Sequence, residues 1–171
     1  MVQTLLVNTA ILAFACLMAW AAWSDVRRYT IPNWIPAAIL ALWLVAAPFA
    51  LTGWGQAGMA LLTFAIVLAA GMLLWAPGWL GGGDVKLIAA GALWFGWPDT
   101  LMFVLFAMVC GGGLALVLLV LRHFSPALPL SPELVSKTPL AQGAPAPYAV
   151  AIAAGALLVL PQSAMFAAFQ P

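Results

Sequence analysis

Gly81-Gly82-Gly83-Asp84-Val85-Lys86-Leu87 is the stretch around which the rest of this sequence is arranged. It places one carboxylate directly after three glycines, between long apolar segments. Only 4 acidic residues occur in the 171-residue chain. A charged side chain at the centre of an apolar helix costs roughly 2.5–3.5 kcal/mol on insertion scales, so such residues are usually functional. Asp84 is therefore a candidate functional residue, and the glycines would let another backbone approach it closely.

The composition predicts an all-α polytopic membrane protein. Hydrophobic residues make up 67% of the chain and charged residues 5%, and the mean hydropathy is +1.15. A soluble domain carries about 25% charged residues. The net charge of +1 argues against a nucleic-acid partner. Neither of the 2 cysteines belongs to a Cys-x-x-Cys pair, so no metal site is predicted.

Six apolar segments are predicted to span the bilayer, since a spanning helix needs about 20 mainly apolar residues. They cover about residues 5–23, 34–51, 57–75, 84–95, 100–121 and 147–169. The fourth segment is short for a span, so its helix could begin within the glycines or lie in a thinned region of the bilayer. We expect a single integral-membrane domain over residues 1–171, with one long polar loop at about 122–146. No basic residue precedes the first segment, which favours a retained helix over a signal peptide.

The distribution of basic residues predicts the topology. Six alternating spans place all five on one side of the membrane: Arg27, Arg28, Lys86, Arg122 and Lys137. The positive-inside rule assigns that side to the cytoplasm. Both termini are then extracytoplasmic.

The same topology brings two acidic residues to one membrane depth. Asp25 ends the first span and Asp84 begins the fourth, both on the cytoplasmic side, whereas Glu133 falls in the polar loop and Asp99 on the opposite side. Two carboxyl groups that converge cannot both ionise easily, so one keeps a proton. Such a pair can activate water and protonate a leaving amine, which is the chemistry of aspartic peptide hydrolysis.

Other interpretations of these residues remain open at this point. Asp84 is also a suitable helix cap, and Asp25 could form a surface salt bridge with Arg28. Acidic residues in membranes also serve transporters and proton pathways, although both aspartates are predicted near the surface rather than at the midplane. A structural or assembly protein would use its glycines, including Gly111-Gly112-Gly113, only to pack helices.

Three segments resemble a known family. Gly81-x-Gly83-Asp84 resembles the GxGD signature of intramembrane aspartic proteases. Asp25-x-Arg27-x-x-x-Ile31-Pro32-Asn33 and Gly83-Asp84-Val85-Lys86-Leu87 look like the segments around the two catalytic aspartates of prepilin peptidases. Pro147-Tyr148-Ala149 is similar to the start of their last helix, with Ala149 in place of the usual glycine. The resemblance extends over most of the chain.

The resemblance implies that Asp25 and Asp84 are the catalytic pair and that Gly81, Gly82 and Gly83 contact substrate. The substrate would be a type IV pilin-like precursor in the lipid bilayer, with a short basic leader, a glycine before the cut and an apolar helix after it. Cleavage would occur at the cytoplasmic face of the inner (cytoplasmic) membrane. Lys86 would lie near the site, with interfacial anchoring as its favoured role.

The long form of the family has an added N-terminal cytoplasmic region with paired Cys-x-x-Cys motifs and also methylates the new N-terminus. This chain has no such cysteines. The resemblance therefore implies peptidase activity alone, without a cofactor, without S-adenosylmethionine and without methyl transfer, as in the short enzymes of tight-adherence (Flp-type) pilus systems. Archaeal preflagellin peptidases are similar and remain an alternative.

Overall fold

The computed structural model describes residues 2–51, 53–124, 138–141, 143–163 and 166. These residues form six α-helices and contain no β-strand, in agreement with the predicted all-α class. The helices are α1 (Val2–Arg28), α2 (Trp34–Ala50), α3 (Trp54–Trp75), α4 (Gly82–Phe95), α5 (Asp99–Phe124) and α6 (Tyr148–Val159), and a 3-10 turn (Leu160–Gln162) follows α6.

Three of the described helices are long and apolar enough to cross a membrane: Thr4–Arg28 within α1, Trp54–Trp75 and Asp99–Phe124. Two further apolar helices are shorter, Trp34–Ala50 and Tyr148–Gln162. At 14 residues, α4 is shorter still. Its length of roughly 21 Å is less than the hydrocarbon thickness of a bilayer. The count of six spans and the orientation of the termini therefore remain predictions.

The helix boundaries differ from the predicted ones in ways that follow from local chemistry. Helix α1 continues past residue 23 to Arg28, so Asp25 lies within the helix rather than after it. The backbone N–H of Tyr29 still donates to the Asp25 carbonyl at 2.8 Å, and the helix ends where Tyr29 adopts a φ of 50°. Helix α4 begins within the glycine run, at Gly82.

The last helix is shorter than predicted. Helix α6 ends at Val159, ten residues before the predicted end at 169. Pro161 lies in the following 3-10 turn. Proline lacks a backbone N–H and its ring clashes with the preceding turn, so the α-helix does not continue through it. Residues 164, 165 and 167–171 lie outside the described residues, as do residues 125–137 and 142 of the predicted polar loop.

Helix α4 lies at the centre of the bundle and packs against α2, α3, α5 and α6. Most of its residues from Val85 to Phe95 are buried, which explains why it is apolar on every face. Helix α1 meets it through large side chains: Phe14 stacks on Trp94 with ring centroids 4.6 Å apart. The Trp94 indole N–H also donates to the Ile39 carbonyl of α2 at 3.0 Å. These contacts fix α1 and α2 relative to α4.

One end of the bundle, here called the aspartate end, contains the C-terminus of α1 and the start of α4. The contact between Gly83 and Ile31 shows that these two segments meet there. Exposed tryptophans surround this end, at Trp23, Trp34, Trp75 and Trp79. Trp54 and Trp97 are exposed at the opposite end. Two groups of exposed tryptophans at the ends of an apolar bundle are typical of a protein whose ends lie in the two membrane interfaces.

Candidate active site

The side chain of Asp25 is held by the start of α6. It is only 7% exposed, and its Oδ2 accepts a hydrogen bond from the backbone N–H of Ala149 at 2.9 Å. The first N–H groups of a helix have no partner within the helix and favour a negative charge nearby. Because the carboxyl group is buried against α6, the predicted alternative of a surface salt bridge with Arg28 does not describe its environment.

Asp84 lies in the first turn of α4 and is half-buried. Its carboxyl group accepts a hydrogen bond from the backbone N–H of Gly81, the N-cap residue. An acidic side chain that reaches back to the N-cap N–H stabilises a helix start, as in a capping box. Asp84 is therefore not the N-cap residue itself, as the alternative had it, but an acidic residue of the first turn whose contact with the N-cap orients its carboxyl group.

Asp25 and Asp84 lie near each other, at the end of the bundle where α1 ends and α4 begins. The carboxyl groups of Asp25 and Asp84 lie close enough for the charge of one to act on the other. Asp25 comes from α1 and Asp84 from α4, with 58 residues between them in the chain. Each accepts one backbone N–H, from Ala149 and Gly81 respectively. Each carboxyl group is thus positioned by a different backbone N–H, and both lie at the same end of the bundle.

The three glycines before Asp84 are closely surrounded by the protein itself. A Cβ added to Gly81 would lie 2.6 Å from Oδ2 of Asp84. A Cβ added to Gly82 would lie 3.3 Å from the indole nitrogen of Trp75. A Cβ added to Gly83 would lie 3.1 Å from Cβ of Ile31. The absence of side chains therefore lets α4 start against α3 and against the segment after α1. A substrate-binding role for these glycines stays a prediction.

The segment between α1 and α2 closes one side of the site. Besides the contact between Gly83 and Ile31, Nζ of Lys86 donates a hydrogen bond to Oδ1 of Asn33 at 2.8 Å. Within the same segment, the Ser24 hydroxyl donates to the Thr30 carbonyl at 2.9 Å. Lys86 thus joins α4 to the segment between α1 and α2, and its interfacial anchoring stays a prediction.

Sequence reasoning missed the contacts that three residues make at the site, although two of these residues lie in the segments quoted for the family resemblance. The Ala149 N–H and the Asn33 side chain contact Asp25 and Lys86 directly. Arg122 at the end of α5 donates to the carbonyls of Pro139 and Ala144, at 2.8 Å and 2.7 Å from Nη2, and so holds the segment that leads into α6. A usable signal existed for Ala149, because Pro147 marks a helix start and the first backbone N–H groups of a helix are free to bind an anion.

This arrangement can carry out acid–base chemistry on an uncharged group. When two carboxyl groups are close enough to share a proton, one can accept a proton from water while the other donates a hydrogen bond. The site lies at one end of an apolar bundle.

The comparison with protein families gives a match in the same region. Residues 12–116 match the sequence model of the type IV leader peptidase family. The matched stretch includes both Asp25 and Asp84 and ends within α5. Neither the comparison with curated proteins nor the comparison with solved structures yields a match.

Proposed function

Because this chain belongs to the type IV leader peptidase family, we propose that it is an aspartic endopeptidase that removes the leader from type IV pilin-like precursors of the Flp type. The observation that carries the proposal is the convergence of Asp25 and Asp84, each oriented by a backbone N–H. The catalytic site consists of these two residues and lies at the cytoplasmic face of the inner membrane. Arg27, Arg28 and Lys86 lie at the aspartate end. They support that orientation, because positively charged residues are enriched on the cytoplasmic side of membrane proteins.

In the proposed reaction the ionised member of the pair accepts a proton from water. The water oxygen then attacks the scissile carbonyl carbon, while the protonated carboxyl group donates a hydrogen bond to the carbonyl oxygen. In the second step the C–N bond breaks and the amine nitrogen takes a proton from the pair. The products are the leader with a free carboxylate and the mature protein with a free amine. Both carboxyl groups then hold one shared proton again.

The activity can be tested by co-expressing this protein with a Flp-type prepilin in a host that has no prepilin peptidase. We expect a faster-migrating prepilin on a gel and a new N-terminus directly after the glycine that ends the leader. Mass spectrometry of the product should find an unmethylated amine. A precursor that stays intact with the protein present in the membrane would contradict the proposed function, and a methylated product would contradict the peptidase-only assignment.

A second expected result concerns the N–H that binds Asp25. Ala149→Pro removes this donor, and proline is sterically acceptable in the first turn of a helix. We expect cleavage to fall about tenfold or more, since losing a hydrogen bond to a charged group costs roughly 1.5–3 kcal/mol. The measurement is the initial rate of precursor cleavage by purified protein in detergent.

The matched variant for this experiment is Ala149→Val. Ala149 is fully buried, so both substitutions introduce extra volume, but valine keeps the N–H. Proline should therefore be the more damaging change. Equal rates for the two variants would show that the damage comes from packing, and the Ala149 N–H would then have no positioning role.

A further inference from the structure

An apolar groove runs along the outside of the bundle between α3 and α5, with α4 and α6 as its floor. Its volume is about 480 Å³. The α3 wall extends from Leu74 to Ile66. The eight steps along the helix axis between these two residues correspond to roughly 12 Å, or about two helical turns. Met108 on the α5 wall is 68% exposed, so the groove opens to the side of the bundle.

One end of the groove reaches the candidate catalytic site. Val85 and Tyr148 both line it. Val85 follows Asp84 in α4, and Tyr148 precedes Ala149, whose N–H binds Asp25. The groove thus ends between the two helix starts that orient the aspartates, and an occupant could extend from the groove directly to the two carboxyl groups.

The shape of the α5 wall favours a helix as the occupant. Four small residues line this wall: Ala107, Gly111, Gly112 and Ala115. A Cβ added to Gly112 would have no atom within 4 Å, so the space in front of it is open. Small residues let the backbones of two membrane helices approach closely. A helix that leaves the groove at this end reaches the two aspartates, which favours a substrate helix over a lipid chain or a second copy of this chain.

We propose that this groove binds the apolar helix that follows the scissile bond of the precursor. The inference rests on the proposed function, because a leader peptidase must hold such a helix beside its catalytic residues. A helix lying along α3 and α5 would place its cytoplasmic end, and the bond before it, at Asp25 and Asp84. The groove therefore selects precursors by the apolar segment, separately from the leader.

Filling the groove tests this inference. Gly112→Leu places a large side chain in the open space of the groove. Gly113→Leu is the matched control, because a Cβ at Gly113 also has no atom within 4 Å, yet Gly113 does not line the groove. We expect Gly112→Leu to slow cleavage of a Flp-type prepilin about tenfold or more and Gly113→Leu to leave it unchanged. A KM increase should account for most of the loss. Equal cleavage by the two variants would overturn the inference.

Photo-crosslinking identifies the occupant directly. The photo-reactive residue benzoylphenylalanine would be introduced at Met108, which lines the groove, and in a separate protein at Val109, which does not. Their exposures are similar, 68% and 62%. The Met108 position should crosslink to the apolar helix of an uncleaved prepilin far more than the Val109 position. Crosslinks from Met108 only to lipid, or only to a second copy of this chain, would overturn the inference.

The two proposals fail in different ways. If the wild-type protein leaves the prepilin intact, the proposed peptidase function is wrong. If the wild-type protein cleaves the prepilin but Gly112→Leu cleaves it equally well, the peptidase function stands and only the groove assignment is wrong.

Discussion

Asp25→Asn and Asp84→Asn should each abolish cleavage of a Flp-type prepilin while the protein still accumulates in the membrane. Asparagine has nearly the same shape as aspartate but can neither accept a proton from water nor donate one to a leaving amine. General acid–base catalysis contributes about 10²–10⁴-fold to a rate. We therefore expect each single variant to lose at least about two orders of magnitude, and the double variant to be no worse than either.

Asp99→Asn is the matched control, because Asp99 lies at the start of α5, at the opposite end of the bundle. Its cleavage rate should stay close to that of the wild type. The measurement is the initial rate of the prepilin mobility shift, normalised to the amount of each variant in the membrane. Near-normal cleavage by Asp84→Asn would leave that residue with a capping role alone, and near-normal cleavage by Asp25→Asn would remove it from the catalytic pair.

The helical class, the positions of the six helices and the family were predictable from the sequence. Apolar segments separated by short polar or glycine-rich turns indicate helices well. A segment inside a bilayer must satisfy its backbone hydrogen bonds internally, and a helix does so. The prediction that Asp25 and Asp84 lie at the same membrane depth also relied on a simple feature: alternating helices bring every second turn to the same end. Whether the two residues are close to each other did not follow from it. In the structure their carboxyl groups are near enough for the charge of one to act on the other, whereas their chemical role remains a prediction.

The details of the site depended on contacts between residues that are distant in sequence. The Ala149 N–H lies 124 residues from Asp25, and Lys86 lies 53 residues from Asn33. No local pattern indicates such pairs, because helix periodicity does not specify which faces of two helices meet. The α1 boundary was missed for a different reason. A polar stretch suggested the end of the helix, but the backbone hydrogen bonds continue through Ser24 and Asp25 until Tyr29 turns away.

The contact between α5 and α6 provides the second large expected effect. A Cβ on Gly155 would lie 2.6 Å from the backbone nitrogen of Ala107 and 2.9 Å from its Cα. Backbone atoms cannot rotate away as the end of a side chain can. Gly155→Leu should therefore push α6 away from α5. Overpacking in a tight core typically costs about 1–3 kcal/mol, and we expect a larger cost here because two helix backbones must separate.

Displacing α6 would also move the Ala149 N–H away from Asp25, so the effect of Gly155→Leu should reach the catalytic site. We expect a clear loss of thermal stability in detergent, and the folded fraction that remains should cleave prepilin at least about tenfold more slowly than the wild type. Gly113→Leu introduces the same side chain on α5 at a position with no atom within 4 Å of its Cβ, so it should keep both properties. Normal stability of Gly155→Leu would show that α5 and α6 do not pack as closely as described. Reduced stability with unchanged cleavage by the folded fraction would show that the position of Asp25 does not depend on α6.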